Sequence, residues 1–276
     1  MTATPSNPAS EPIPDAVRMH VDGLEMRYGD FLIQKDLTFD IRKGEVFIIM
    51  GGSGCGKSTL LKHMIGLIRP AAGEIYYGDT PFWAQEEDVR QQMMQKVGVL
   101  YQQGALWSSM TLAENIAVPL EEYSDLSAKT IREVASLKLA LVGLAGFEDF
   151  YPSEISGGMC KRAGLARAMA LDPDILFFDE PSAGLDPISS KLLDDLILEL
   201  RDSLGTTIVI VTHELDSIFS IGDNCVFLDA ETKTMIATGN PRELRDHSPD
   251  PRVRLFLTRG QTDGHEDQRE SEQVKR

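Results

Sequence analysis

The stretch EVFIIMGGSGCGKSTLLKHMIGL, residues 45–67, decides how this chain is read. EVFIIM is a continuous apolar run, the pattern of a strand covered on both faces rather than on one. KSTLLKHMIGL reads as an amphipathic helix. Between them, GGSGCGKST matches the phosphate-loop pattern in the context that pattern requires, after a strand and before a helix. The glycines let backbone N–H groups close around the α and β phosphates of a nucleotide, Lys57 reaches the β and γ oxygens, and the Ser58 hydroxyl can ligate Mg²⁺. The candidate phosphate-binding set is therefore Gly51, Gly52, Ser53, Gly54, Cys55, Gly56, Lys57, Ser58 and Thr59. The competing reading is a glycine-rich turn that only opens a helix.

Two further apolar runs, ILFF (175–178) and TTIVIV (206–211), read as central strands of the same kind. The helix between them, SSKLLDDLILELRDSLG, puts Leu192, Leu196, Leu200 and Leu204 on one face and has Gly205 as its C-terminal stop. Strands alternating with helices predict a parallel, right-handed α/β core. Leu37, Phe39 and Ile41 alternate with polar residues as in a half-buried strand. Residues 105–172 read mainly as helices, with IREVASLKLALVGLAG (131–146) the clearest, and form a helical subdomain inserted into the core.

Chemistry gathers where these runs end. ILFF leads into Asp179 and Glu180, which puts two carboxylates at the edge where α/β sheets bind ligands. Asp179 would hold Mg²⁺ through water, and Glu180 would polarise an attacking water; the competing reading is a helix N-cap cluster. His213 follows TTIVIV and emerges at the same edge, whereas a lone histidine is more often structural. Gln102, after the strand-like KVGVLY, is placed to sense Mg²⁺ or water, or to satisfy a loop. SEISGGMCKR (153–162) then offers a second glycine-rich helix start, although one nucleotide already has its cradle.

Composition limits the alternatives. No apolar run approaches the roughly 18 residues of a membrane span, and the first fifteen residues lack the basic and apolar regions of a signal peptide. A formal charge of −16 argues against nucleic acid or anionic headgroups as the main source of affinity, so anion binding has to be local. Cys55, Cys160 and Cys225 lack metal-ligand spacing and fit a reducing compartment. The Pro/Ser/Ala-rich start (1–16) and the polar tail from about 258 are expected to be flexible.

In order, phosphate loop, Gln102, Ser-Gly-Gly, Asp-Glu, SAGLD and His213 resemble the nucleotide-binding cassette of ABC transporters over nearly all of residues 17–245, with 246–276 as an extension. The resemblance implies a P-loop NTPase α/β fold with a RecA-like core, an antiparallel β subdomain and the inserted helical subdomain. It also implies an ATPase that uses ATP and Mg²⁺. In that family two copies close head to tail around two ATP molecules, and the Ser-Gly-Gly helix of one faces the γ-phosphate held by the other. Each cradle would then serve a different copy's nucleotide.

Carried over, Tyr28 is the aromatic that stacks on adenine, and Gln102 is the lid glutamine and a metal-site residue beside Ser58 and Asp179. Ser156, Gly157 and Gly158 are the signature, Asp186 is the acid of the subunit-contacting loop, Glu180 is the catalytic glutamate and His213 the switch histidine, with Lys57 on the phosphates. Met159 departs from the family, which usually carries glutamine there. ISGGM with KRAGLARAMALDP, GVLYQQGALWSSMTLAENIAVPL and DPRVRLFL is most similar to the ATPases of MCE-protein lipid transport systems of the Mla type. That group implies a cytoplasmic position at the bacterial inner membrane, an integral permease, an MCE-domain lipid-binding protein and often a small STAS-domain protein, while the acidic balance implies no nucleic acid. Of Leu106, Trp107, Leu112 and Ile116 in the neighbourhood that receives a permease helix, Leu112 and Ile116 suit core packing and Trp107 an interface.

Overall fold

The computed structural model describes residues 16–102 and 104–259. The segments expected to be flexible lie almost wholly outside them. In chain order the strands are β1 (Val17–Tyr28), β2 (Phe31–Arg42), β3 (Val46–Gly51), β4 (Ala72–Tyr77), β5 (Thr80–Pro81), β6 (Val97–Leu100), β7 (Ile175–Asp179), β8 (Thr207–Val211), β9 (Asn224–Asp229) and β10 (Thr234–Gly239). The helices are α1 (Lys57–Met64), α2 (Glu87–Met94), α3 (Leu112–Tyr123), α4 (Ala128–Leu141), α5 (Gly157–Ala168), α6 (Pro187–Leu204), α7 (Leu215–Ile221), α8 (Pro241–His247) and α9 (Pro251–Leu257).

The three apolar runs become β3, β7 and β8, adjacent in a sheet ordered β10-β9-β3-β8-β7-β6, in which every neighbouring pair except β10–β9 is parallel. All of β3 and β8 is buried because the two faces of the sheet meet different layers. Val46, Ile48 and Met50 pack with Leu112, Ile116, Leu165, Leu193 and Ile218 of the helical side. Phe47 and Ile49 point the other way, onto Leu60 and Met64 of α1 and onto the second sheet, β2-β1-β4-β5, which is antiparallel. Each such side chain contributes about 1.5–3 kcal/mol by leaving water, and because alternate residues fit different layers, a slip by one residue would exchange the two sets and misplace every strand end. In β2, Leu37, Phe39 and Ile41 face the core as their alternation predicts.

Three expectations change in detail. On α6 the packed positions are Leu193, Ile197 and Leu200, while Leu192 and Leu204 are 60% and 49% exposed. Spacing by four drifts around a helix of 3.6 residues per turn, so the leucine row leaves the core at both ends. Gly205 does end the helix, at φ +66. α4 stops at Leu141, and the following VGLAG turns through Gly143 and Gly146, both at positive φ. Helix α3 begins only at Leu112, where Thr111 and Glu114 form a reciprocal capping box. Residues 105–111 are held instead by buried Asn115, which bonds Trp107 N–H and the carbonyls of Trp107, Met110 and Thr111.

His63, in the last turn of α1, is buried; its Nδ1–H donates to the Ile68 carbonyl at 2.6 Å, and its Nε2 has no partner. Burial lowers the imidazole pKa from 6.5. Because the native state then binds its proton later than the unfolded state, His63 costs no stability while neutral in both states and costs progressively more as pH falls below 6.5. Thermal unfolding followed between about pH 8 and pH 5 should show a steeper acid-side loss for the wild type than for the non-titrating His63→Gln.

Candidate active site at the carboxyl edge of the parallel sheet

Gly51 closes β3, and the loop it opens wraps back onto α1. Its φ of +147, and a Cβ position only 2.3 Å from the Leu228 carbonyl oxygen, leave room for glycine alone. Gly56 caps α1 at φ +98 and packs against Ile33 of β2, where a Cβ would lie 2.7 Å from a methyl carbon. Lys57 donates to the Gly51 and Gly52 carbonyls at 2.9 and 3.0 Å, which puts its ammonium inside the loop. The Ser58 hydroxyl donates to Asp179 Oδ1 at 3.1 Å, joining the helix start to the end of β7. Buried Gln34 braces the loop from below, its Nε2 donating to the carbonyls of Cys55 and Asp229 at 2.7 and 2.9 Å. Cys55 is a free, buried thiol whose pKa burial raises.

Beyond Asp179 the chain turns sharply. Glu180 keeps one more ladder bond, its N–H donating to Val211 O at 2.8 Å, and adopts a left-handed φ of +49 that costs a non-glycine residue about 1–3 kcal/mol. His213, two residues past β8, donates from Nδ1 to Glu180 Oε1 at 2.8 Å. Glu180 Oε2 is buried without a hydrogen-bond partner. Gln102 lies exposed in the turn after β6, whose Leu100 is in register with Phe178 of β7, so it stands at the same edge of the sheet.

A cavity of about 690 Å³ joins the loop to Glu180 and His213: Gly51–Gly54, Gly56–Thr59, Glu180 and His213 line it together with Tyr28, Phe31, Ile33 and Phe256, whereas Cys55, Asp179 and Gln102 are not in its lining. Tyr28 is expected from the family resemblance, and the other three side chains are not. Phe31 pairs with Tyr28 across the tight β1–β2 hairpin and carries the Lys233 ammonium 4.8 Å over its ring, so the Gly-Asp turn was the available signal. Phe256 comes from α9, where it packs edge-on against Phe227 while Arg252 ties the helix to Asp229 at 2.8 Å. No local pattern announces it.

The second glycine-rich start stands apart from that cavity, which none of residues 156–159 lines. Ser156 caps α5, accepting from Met159 N–H at 3.3 Å, and Gly157 faces open space. Met159 packs its side chain against the helical core, an apolar role that a glutamine would not share. Asp186 caps α6 through the N–H groups of Ile188 and Ser189 and the Ser189 hydroxyl, and the hydroxyl's bond holds its pKa below the usual carboxylate value.

Comparison with known proteins agrees with this arrangement. The family model described as ABC transporter matches residues 34–183. "Intermembrane phospholipid transport system ATP-binding protein MlaF" of Haemophilus influenzae is 39% identical over 89% of this chain and 92% of its own length. "Probable ribonucleotide transport ATP-binding protein mkl" of Mycobacterium tuberculosis is 42% identical over 90% of this chain and 68% of its own. Among solved structures, the dimeric post-hydrolysis state of the ATP-binding cassette MJ0796, bound to ADP and Pi, superposes with a TM-score of 0.72 at 27% identity, covering 80% of this chain and 98% of that one. A phosphate loop, a carboxylate pair and a histidine on one sheet edge, with family similarity spanning them, lead to one conclusion: the chain belongs to the ABC transporter family, as an ATP-binding and ATP-hydrolysing cassette.

Proposed function

We propose that two copies of this chain close around two ATP molecules and drive phospholipid transport between bacterial membranes through a separate permease. The observation that carries the two-copy reading is the separation of parts within one chain. Phosphate loop, Glu180 and His213 share a cavity, and the capped N-terminus of α5 lies outside it. In this reading Lys57 and the loop N–H groups hold the phosphates, and Tyr28 stacks on adenine. Glu180, oriented by His213, uses its free Oε2 to accept a proton from the attacking water. Ser156, Gly157 and Gly158 present the α5 N–H groups to the partner's γ-phosphate, and Asp186 meets the partner nearby.

The Ser58 hydroxyl and Asp179 carboxylate, 3.1 Å apart, are hard oxygen donors that fit Mg²⁺, with Gln102 at the edge of the set. When bound, the ion supplies charge neutralisation on the phosphate oxygens.

Among the described residues no helix is long and apolar enough to cross a membrane, which favours a separate membrane-spanning partner. A groove of about 740 Å³, lined by Trp83, Arg90, Trp107, Tyr123, Arg167 and Leu171 among others, fits a permease helix. Trp107, 48% exposed and stacked under the Arg167 guanidinium at 5.3 Å, is its anchor candidate, whereas Leu112 and Ile116 are core. An MCE-domain protein, a small STAS-domain protein and a position on the cytoplasmic face of the inner membrane complete the reading. The near-complete overlap in length with the MlaF relative favours phospholipid over the ribonucleotide named for the mycobacterial one.

Glu180→Gln should keep nucleotide binding and lose about 100-fold or more in turnover, accumulating an ATP-bound dimer; near-normal hydrolysis refutes the role given to Glu180. Lys57→Ala mixed with Ser156→Arg should recover about a quarter of the wild-type rate, since half the dimers then hold one intact composite site. No recovery in proven mixed dimers counts against a site built in trans. Pulled from mildly solubilised membranes, the chain should bring a multi-span permease and an MCE-domain protein, and Trp107→Glu should uncouple that permease. A partner set with a soluble nucleotide- or sugar-binding protein instead would overturn the phospholipid assignment and leave the ATPase chemistry standing.

A further inference from the structure

α5 runs from its capped start back beneath the turn that follows β7. Lys161, the fifth residue of the helix, is 7% exposed, and its ammonium donates at 2.6 Å to the carbonyls of both Pro181 and Ala183. Both acceptors are neutral. A buried ammonium is expensive to desolvate, and a methionine would fill the same length without that cost. Burial lowers the Lys161 pKa, and the Glu180 charge opposes that shift. What the cation contributes in exchange is two short bonds to a turn that has few others. The turn's own links are Ala183 N–H to Glu180 O at 3.2 Å and Leu185 N–H to Ser182 O at 3.0 Å, and the buried Ser182 hydroxyl has no partner. Glu180, the residue the turn must hold, sits at a left-handed φ.

We infer that Lys161 is a positioning residue for hydrolysis: it clamps the Pro181–Ala183 turn to the α5 helix and so fixes the backbone from which Glu180 meets His213. This rests on the role proposed for Glu180. The clamp has a second consequence. At its start, α5 passes Gly158 beside Leu185 and Ser189, so the clamp also joins the helix start to the α6 cap.

The test uses the full-length protein in its transporter complex. In Lys161→Met, kcat should fall about tenfold or more, while KM for ATP and the affinity for a fluorescent ATP analogue change less than about threefold. Hydrogen exchange at the Ala183 and Leu185 amides should accelerate, and Lys161→Arg, which restores two donors, should recover most of the rate. In a Glu180→Gln background, Lys161→Met should cost nothing further, because both changes act on one step. A Lys161→Met enzyme within about twofold of wild-type kcat overturns the inference. So does a loss matched by nucleotide affinity and thermal midpoint that Lys161→Arg does not repair. Should Lys161→Met fail to fold, Lys161→Gln, whose amide can still donate one bond, is held to the same split between kcat and KM. Normal turnover in Glu180→Gln would instead sink the role of Glu180, whereas a slow Glu180→Gln beside a fast Lys161→Met sinks the clamp alone.

Discussion

The structure depends on the register of three parallel strands. Ile49 of β3 lies opposite Val211 of β8, and Val211 lies opposite Asp179 of β7. Parallel strands in register end at one level, so the phosphate loop, the carboxylate pair and the histidine leave the sheet side by side. Nothing in the chemistry of Lys57, Glu180 or His213 would bring them together otherwise. That register is set by burial on both faces, since alternate side chains of β3 enter the helical core and the core shared with α1 and the antiparallel sheet.

A protein with a formal charge of −16 holds an anion through local devices. In the proposed reading, backbone N–H groups freed by Gly51 and Gly56, one lysine inside the loop and the start of α1 would act over distances at which the distant surface charge is screened. These devices work only if the loop is rigid. Gln34, at no cost in charge, spends both amide protons on carbonyls from the loop and from the end of β9, and Asp229, which caps that strand, also anchors Arg252 of α9. The cavity floor is thus tied to segments nearly two hundred residues away in sequence.

A tension runs through the turn after β7. Glu180 must leave the sheet in a left-handed conformation so that its carboxylate reaches His213 at 2.8 Å, and the surrounding contacts have to hold it there. The ladder bond to Val211 holds it from one side and Lys161 from the other. Met159 belongs to the same economy: packed on the helical core, it steadies the first turn of α5 by apolar contact where a polar residue would turn to solvent.

The sequence by itself determined what depends on contiguous residues: the strand–loop–helix of 45–64, the buried runs of β7 and β8, the acids that follow β7, and the Ser156 cap. Their signals are local because backbone geometry and two-sided burial are imposed within a few residues. Tertiary structure decided the rest. Leucines spaced by four on α6 left two members exposed, because only the packed partner says which face is inward. Phe31 and Phe256 reached the cavity from a hairpin and a C-terminal helix, through pairings that join distant segments. Lys161, one basic residue among several in KRAGLAR, became a buried clamp only when the turn after β7 closed over it, because hydrogen bonds between residues twenty positions apart leave no period in the chain.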